Sequence, residues 1–229
     1  MEFTKLSNRL DLVASFVPAG ARLLDVGSDH AYLPIALLQE GKIEAAIAGE
    51  VVEGPYQSAL QNVADNGLED KIEVCLANGL AAFEPTDGIS CITIAGMGGR
   101  LIADILAAGL EKLASVSRLV LQPNNREDEL RAWLVDHDFR IVDEAILEEN
   151  EKFYEILVVE HGFQELSAKE LRFGPYLMRE QAPAFVQKWS KEVEKLAFAL
   201  EQVPVENQSA RAALEERIAQ IKEVLHVSK

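Results

Sequence analysis

The segment whose residues could best carry chemistry begins at Asp25, at the end of the apolar run Arg22–Val26. Its sequence is DVGSDHA (25–31), and a helical pattern follows. A nucleotide cofactor needs such a turn, where it can approach the backbone closely and meet N–H groups that point toward it. Gly27 supplies the room, and Asp29 tolerates left-handed backbone geometry where a full glycine-rich pattern has glycine. The segment indicates a cofactor-binding turn, with an acidic helix N-cap as the open alternative.

Polar residues also follow the next two apolar runs. Glu50 ends the run 45–49, and a carboxylate in that position can accept hydrogen bonds from ribose hydroxyls. NAD and S-adenosylmethionine share this feature, so Glu50 supports a cofactor site without choosing between them. Asn78 and Gly79 follow the run 72–76. The Asn78 amide could recognise an adenine, although Asn-Gly is equally a plain turn signal.

Glycines and amides follow the fourth and fifth runs. AGMGG (95–99) leaves little side chain at a strand end, which suits a flat ring that passes the backbone, whereas the alternative is a tight turn. Pro123, Asn124 and Asn125 follow the run 118–122. The two amides could hydrogen-bond a base edge, or Asn125 could cap the next helix.

Alternating strand-like and helical patterns must position these residues. The predicted strands are 22–26, 45–49, 72–76, 89–95 and 118–122, and the predicted helices are 4–17, 31–40, 54–66, 99–113 and 126–137. The alternation predicts an α/β fold with a parallel sheet that is covered on both faces. The extended runs 140–148 and 153–160 then lie too close together for a parallel crossover and predict a hairpin. Parallel strands closed by an antiparallel C-terminal hairpin are typical of the Rossmann-like class I methyltransferase sheet.

The pattern becomes helical from about residue 164. Two apolar stripes at three- and four-residue spacing flank Pro204: Trp189, Val193, Leu196, Leu200 and Val203, then Leu214, Ile218, Ile221 and Leu225. They predict an antiparallel helical hairpin with a coiled-coil seam. We therefore divide the chain into a cofactor-binding domain, residues 1–163, and a small C-terminal helical coiled-coil domain, residues 164–229.

The charge is distributed unevenly. The formal net charge is −16, yet residues 1–164 carry 12 basic and 28 acidic residues whereas residues 165–229 carry 10 of each. A cationic cofactor suits the acidic part, and a polyanion would engage the neutral tail.

The composition and the apolar pattern also indicate the cellular compartment. No apolar run approaches the roughly 20 residues of a membrane span, and the first residues lack a secretory pattern. Cys75 and Cys91 lie in apolar runs without nearby partners, which favours buried thiols over a disulfide or a metal site. We expect a cytoplasmic protein with no bound metal and no membrane partner.

Several strings resemble those of the bacterial tRNA (adenine(22)-N1)-methyltransferase family. They are LSNRL (6–10), DVGSDHAYLP (25–34), IAGE (47–50), IAGMGG (94–99), LQPN (121–124), FYEILVVE (153–160) and FGPYL (173–177). The resemblance implies S-adenosylmethionine as methyl donor and N1 of a tRNA adenine as acceptor. It also implies a donor site lined by Arg9, Asp25, Gly27, Ser28, Glu50, Asn78, Gly79, Ala95, Gly96 and Met97. A solvated helix residue is an equal alternative for Arg9.

Methyl transfer to adenine N1 places positive charge on the purine, and a carboxylate or amide oxygen near the exocyclic amine would stabilise it. Asp29 is the first catalytic candidate and Asn124 the second. An adenine in folded RNA must be extruded and stacked; Tyr32 is preferred for this over Tyr56 and Tyr154, and all three could instead be packing residues. In the tail, RNA phosphates could be held by Arg172, Arg179, Lys188, Lys191 and Lys195, whose alternative is a solvated helix flank.

Two other functions stay open on the sequence alone. A nicotinamide-dependent oxidoreductase would share the Glu50 signal, although the hairpin and the incomplete glycine pattern disfavour it. A non-catalytic RNA-binding adaptor with a relic cofactor pocket would bind tRNA without methyl transfer. Methylation of an exocyclic amine is disfavoured, because an Asn/Asp-Pro-Pro-aromatic motif is absent where AGMGG stands. The oligomeric state is not determined by these patterns.

Overall fold

A seven-stranded sheet forms the centre of the computed structural model, which describes residues 4–226. The strands are β1 (Ala21–Val26), β2 (Ile43–Glu50), β3 (Ile72–Leu76), β4 (Cys91–Met97), β5 (Arg118–Pro123), β6 (Phe139–Glu149) and β7 (Lys152–His161). Their order is β3-β2-β1-β4-β5-β7-β6; the first five are parallel, and β7 is antiparallel to both neighbours. This arrangement confirms the predicted parallel sheet with a closing hairpin. Asn150 and Glu151, with φ of 52° and 63°, form the two-residue turn that matches the twist of the paired strands.

Helices cover the sheet and continue beyond it. They are α1 (Asn8–Phe16), α2 (Tyr32–Gln39), α3 (Glu53–Asp65), α4 (Gly99–Ala108), α5 (Glu127–Asp136), α6 (Ala168–Phe173), α7 (Pro175–Glu180), α8 (Pro183–Gln202) and α9 (Gln208–His226). Two of them, α1 and α4, are five residues shorter than predicted. The first begins at Asn8 because Ser7 caps it, accepting a hydrogen bond from the Leu10 N–H. The fourth ends at Ala108 with Gly109 as its C-cap, and 110–115 is a 3₁₀ helix. Between residues 4 and 226 no helix is long and apolar enough to cross a membrane.

The central parallel strands β1, β4 and β5 are mostly apolar because both of their faces are buried. Side chains alternate across a strand, so Leu23 packs with α1, α2 and α3 whereas Leu24 packs on the opposite face with α4 and α5. Cys91 and Ile92 divide in the same way. Both cysteines are free; Cys91 is buried and Cys75 is half-buried.

The C-terminal helices pack on the β6–β7 hairpin through a separate apolar cluster. It includes Ile146 from β6, Phe173 from α6, Phe185 and Trp189 from α8, and Ile221 from α9. Most of the predicted stripe residues belong to this cluster, which confirms the helical hairpin of α8 and α9. A coiled-coil supercoil stays a prediction.

A buried ion network joins the same elements. Arg131, fully buried on α5, donates to Glu144 Oε1 at 2.8 Å and to Glu155 Oε2 at 2.5 Å. Lys188 on α8 donates to Glu155 Oε1 at 2.7 Å and to Glu127 Oε1 at 3.0 Å. Burial would raise the pKa of Glu155, but the charges of Arg131 and Lys188 outweigh it and hold that pKa below its ordinary value. The network therefore depends on all of its charges being present.

Arg131→Met should lower the free energy of unfolding by roughly 3–5 kcal/mol, because two buried carboxylates lose their shared cation. Urea denaturation measures this change. The matched control is Arg140→Met, which removes an exposed pair with Glu160 at 3.4 Å and should cost at most about 1 kcal/mol. Equal effects of the two substitutions would contradict the assigned importance of the network.

Candidate binding and catalytic site

The candidate site lies where the sheet order reverses. Strand β1 pairs with β2 on one side and with β4 on the other, so the connections from β1 and β4 leave in opposite directions and open a crevice at their carboxyl ends. A cavity of about 340 Å³ occupies this crevice; its lining residues are Arg9, Leu10, Asp25, Gly27, Ser28, Asp29, Ala95, Gly96, Met97, Asn124 and Tyr154. The structure thus brings together most of the residues predicted for a cofactor site.

Asp25 fixes the turn that follows β1. Its carboxylate is buried and accepts hydrogen bonds from Ser28 Oγ and Thr93 Oγ1, both at 2.6 Å. Burial raises the pKa of Asp25, although the two hydrogen bonds oppose the shift. Since both carboxylate oxygens are occupied, Asp25 holds the turn in place rather than presenting a free charge to a ligand. Thr93, on β4, was not among the residues predicted from the sequence.

The turn itself has an unusual backbone. Gly27 has φ of 66°, and a methyl group there would overlap the Met97 side chain. Asp29, His30 and Ala31 follow with φ of 44°, 70° and 60°, a left-handed series that costs free energy in non-glycine residues. The N–H groups of Gly27 and Ser28 both donate to the Gly49 carbonyl. These two N–H groups therefore bind the turn to β2.

Glu50 contributes a carboxylate that is incompletely satisfied. The side chain is buried, and its Oε1 has no hydrogen-bond partner among the described residues. Burial raises the pKa of Glu50, partly opposed by a hydrogen bond from the Asp29 backbone and reinforced by the charges of Asp29 and Asp25. A buried oxygen without a donor is costly, and a ligand hydroxyl would satisfy it.

Asn78 and Gly79 lie on the far side of Glu50, outside the cavity that Gly27 lines. Asn78 is exposed and borders a shallow depression of about 400 Å³ with Val51, Leu76 and Ala77. Val51 and Leu76 are exposed apolar side chains there. The depression can accept a flat apolar ring with a polar edge near Asn78.

The glycines at the end of β4 and at the start of α4 meet different structural requirements. A side chain at Gly99 would collide with the Arg126 carbonyl, and the Gly99 N–H donates to the Asn125 carbonyl at 2.9 Å. The close approach of α4 to the β5–α5 loop therefore explains Gly99 without a ligand. Gly96, in contrast, lines the cavity beside Arg9.

The loop after β5 presents Asn124 to the cavity. Asn124 Nδ2 donates to the Gly96 carbonyl at 2.7 Å, and Oδ1 accepts from Gln122 Nε2 at 3.1 Å. Asn125 does not cap α5, since Arg126 occupies the N-cap position without a side-chain cap. Gln122, which no sequence pattern singled out, is completely buried behind Asn124 and Arg9.

Tyr154 is the aromatic residue that borders the cavity, and the Arg9 guanidinium lies 5.6 Å from its ring centroid. Tyr32, the aromatic residue preferred from the sequence, is 43% exposed at the start of α2 and does not line the cavity. Tyr56, on α3, does not line it either. Position therefore favours Tyr154 as a stacking surface.

A larger cleft of about 870 Å³ adjoins the cavity, because Asn124 and Tyr154 line both. Its basic residues are Lys152, Arg172, Lys188, Lys191, Lys195 and Arg217, and its acidic residues are Glu127, Asp128 and Glu192. Basic residues therefore outnumber acidic residues in this cleft, although the chain as a whole is acidic. Phe153 and Trp189 add aromatic surface.

The predicted tail cations are not equivalent in this cleft. Lys191 and Lys195 are exposed within it, and each makes one surface ion pair, with Glu148 at 3.1 Å and with Glu192 at 3.5 Å. Lys188 is less exposed and is paired with both Glu127 and Glu155. Arg179 lies outside the cleft and packs 4.7 Å from the Tyr176 ring centroid. Lys152 and Arg217 were missed, since each is an isolated basic residue in the sequence.

The chain is similar to known proteins over nearly its whole length. A family model described as tRNA (adenine(22)-N(1))-methyltransferase matches residues 23–223. The tRNA (adenine(22)-N(1))-methyltransferase of Bacillus subtilis (strain 168) is 40% identical over 237 residues, covering 98% of this chain and 99% of that protein. A Streptococcus pneumoniae protein solved in complex with S-adenosyl-L-methionine is 66% identical, with a TM-score of 0.91 over 97% of this chain and 100% of that chain. An M. capricolum structure in complex with the cofactor product S-adenosyl-homocysteine is 28% identical, with a TM-score of 0.85 over 98% and 99%.

Glu50→Gln should stabilise the fold at neutral pH by about 1 kcal/mol, because it removes a buried and incompletely paired charge. Because the pKa of Glu50 is raised in the folded protein, the wild-type protein loses stability as pH rises from the ordinary value of 4.5 through the raised value. The variant does not titrate at this position, so its advantage over the wild type should increase with pH. Thermal unfolding between pH 5 and 8 measures the difference, with the exposed Glu40→Gln as control. A pH-independent difference, or a destabilised variant at pH 8, would contradict this account of Glu50.

Proposed function

Since the chain belongs to the tRNA (adenine(22)-N(1))-methyltransferase family, we propose that it transfers a methyl group from S-adenosylmethionine to N1 of adenine 22 in tRNA. The observation that carries this proposal is the 40% identity to the B. subtilis enzyme over nearly the whole of both chains. The crevice between β1 and β4 supplies a cavity in the place where this chemistry needs one.

The crevice residues fit S-adenosylmethionine, which supplies a methyl group on a positively charged sulfur. Glu50 Oε1 is a buried acceptor without a donor, suited to a ribose hydroxyl. Arg9 offers a guanidinium to a carboxylate, and the depression beside Val51 and Asn78 suits the adenine ring. Gly27, Ala95, Gly96 and Met97 leave the space between these groups.

The chain's main catalytic contribution is alignment. Adenine N1 carries a free lone pair, so no base must first remove a proton, and orientation alone can supply roughly 7–11 kcal/mol of the barrier. As N1 is methylated, positive charge spreads to the exocyclic amine. We assign Asp29 to accept a hydrogen bond from that amine, because its carboxylate borders the cavity and is 82% exposed.

Asn124 is the second residue proposed to contact the base. One N–H of its Nδ2 donates to the Gly96 carbonyl, and the other is available to an acceptor. Its Oδ1 accepts from Gln122 and retains one lone pair. Asn124 can therefore hydrogen-bond a base edge in a fixed orientation, and Tyr154 beside it can stack on the base. Tyr32 remains a weaker candidate for stacking, since it lies outside the cavity.

The cleft beside the cavity is the proposed tRNA-binding surface. We assign its phosphate contacts to Arg172, Lys191, Lys195, Lys152 and Arg217, and assign Lys188 to the buried network instead. Arg179 would contact only RNA that extends beyond the cleft. In this proposal residues 164–229 form the tRNA-binding domain, and residues 1–163 form the S-adenosylmethionine-binding domain.

The family membership argues against a nicotinamide-dependent oxidoreductase. A non-catalytic RNA-binding adaptor would share the fold and the cleft, so methyl transfer must be measured. Unmodified tRNA containing adenine 22 is incubated with the protein and S-adenosylmethionine, and the digested product is analysed by mass spectrometry. We expect N1-methyladenosine at position 22 and none in a transcript with guanosine there. Binding of tRNA without any methyl incorporation would support the adaptor and contradict the proposal.

Asp29→Ala should slow methyl transfer by roughly 10²-fold or more, because the cationic purine loses its charge partner. Single-turnover kinetics at saturating S-adenosylmethionine measures the rate, and calorimetry should find donor affinity changed far less. The removal of the Asp29 side chain leaves its backbone N–H to Glu50 intact. Equal single-turnover rates for the two proteins would exclude Asp29 from the reaction.

Lys191→Glu combined with Lys195→Glu should weaken tRNA binding at least about tenfold at low salt, since several phosphate contacts are lost and reversed. Gel shifts measure this affinity, and calorimetry should show unchanged S-adenosyl-homocysteine binding. The control with the same charge change is Lys71→Glu combined with Lys222→Glu, because neither residue lines the cleft. Equal losses in both variants would indicate a net-charge effect and contradict the assigned surface.

A further inference from the structure

Gln122 is a buried amide at the carboxyl end of β5 whose polar atoms all bind parts of the site. Its Oε1 accepts from Arg9 Nη1 at 2.6 Å and from the Gly96 N–H at 3.0 Å. Its Nε2 donates to the Pro123 carbonyl at 2.8 Å and to Asn124 Oδ1 at 3.1 Å. One side chain thus connects the guanidinium on α1, the end of β4 and the loop after β5.

The partners of Gln122 determine its orientation. Arg9 and the Gly96 N–H can only donate, so the amide atom that faces them must be the oxygen. The nitrogen then faces Asn124, whose nearer atom must be an acceptor, Oδ1. Asn124 Nδ2 consequently faces the Gly96 carbonyl at 2.7 Å. Each amide therefore has one orientation that satisfies every partner.

We infer that Gln122 is a positioning residue, which orients Arg9 toward the carboxylate of the methyl donor and Asn124 toward the target base. This inference rests on the proposed function, because it takes Arg9 and Asn124 as ligand contacts. Gln122 is fully buried behind them, so it acts through the groups that it binds and not by touching a ligand. The cavity-facing atoms of Arg9 and Asn124 remain available to ligands.

The chemistry of this position requires an uncharged group that both donates and accepts. A glutamate would accept from Arg9 but neutralise its charge, and it would repel a ligand carboxylate. It could not donate to Asn124 Oδ1 or to the Pro123 carbonyl, so its carboxylate oxygen would face two other acceptors without a hydrogen between them. A methionine would fill the space but make none of the four hydrogen bonds. Glutamine alone of the three satisfies all partners and preserves the positive charge of Arg9.

The test compares two ligands that differ in the amino-acid part. S-adenosyl-homocysteine carries an α-carboxylate and an α-ammonium there, and 5′-methylthioadenosine lacks both. Gln122→Glu should weaken binding of S-adenosyl-homocysteine by about tenfold or more, the effect of losing a charge-assisted hydrogen bond, and change 5′-methylthioadenosine binding by less than about twofold. Isothermal calorimetry measures both affinities without tRNA. Should the glutamate variant fail to fold, Gln122→Met carries the same test, with the same selective loss.

The matched control is Gln39→Glu. Gln39 also bridges two partners, accepting from the Thr4 N–H and donating to Asn66 Oδ1, each at 2.8 Å, but it does not line the cavity. Its variant should keep the wild-type ratio of the two affinities. An equal loss for both ligands in the Gln122 variants, or no loss for either, would overturn the inference.

The Asn124 half of the inference has its own measurement. At saturating S-adenosylmethionine, Gln122→Met should lower the single-turnover rate, and combining it with Asn124→Ala should lower it no further than Asn124→Ala alone. Additive losses would overturn this half. A wild-type protein that discriminates the two ligands yet methylates no tRNA would contradict the proposed function, while the ligand ratios would still decide the role of Gln122.

Discussion

The hydrogen bonds that Asp25 accepts from Ser28 and Thr93 are the interaction on which the site depends. They attach the turn after β1 to β4, across the point where the sheet order reverses. With the turn fixed, three consecutive left-handed residues can bring Asp29 to the cavity and its N–H to Glu50. Backbone strain of this kind persists only where surrounding contacts determine the conformation.

The buried ion network is the second polar feature of the structure, and it lies beside this crevice. Arg131 and Lys188 hold Glu144 and Glu155 between the hairpin and the C-terminal helices. Glu155 is adjacent in sequence to Tyr154, which borders both the cavity and the basic cleft. The network therefore attaches the strand that carries Tyr154 to α5 and α8. Buried charges of this kind are weak sources of stability, but they restrict the arrangements that satisfy them.

Local sequence patterns predicted the elements well because the physics that forms them is local. Continuous apolar runs such as 22–26 and 118–122 became strands buried on both faces, and the short connection around Asn150 became a hairpin turn. Element ends were predicted less well, since they depend on single residues such as Ser7 and Gly109. The prediction that Asn125 could cap a helix was wrong because the chain turns through Arg126 instead.

The sequence by itself determined the parallel sheet, its closing hairpin, the family and the strand ends at which the candidate residues collect. Only the tertiary structure decided which side chains are free to act. Residues distant in the chain bring Gln122, Thr93 and Arg217 into the candidate sites. Lys188 is paired with Glu127 and Glu155, so its charge is not free to bind a ligand. Hydrogen bonds and ion pairs form between neighbours in space, and a pattern of neighbours along the chain does not specify those partners.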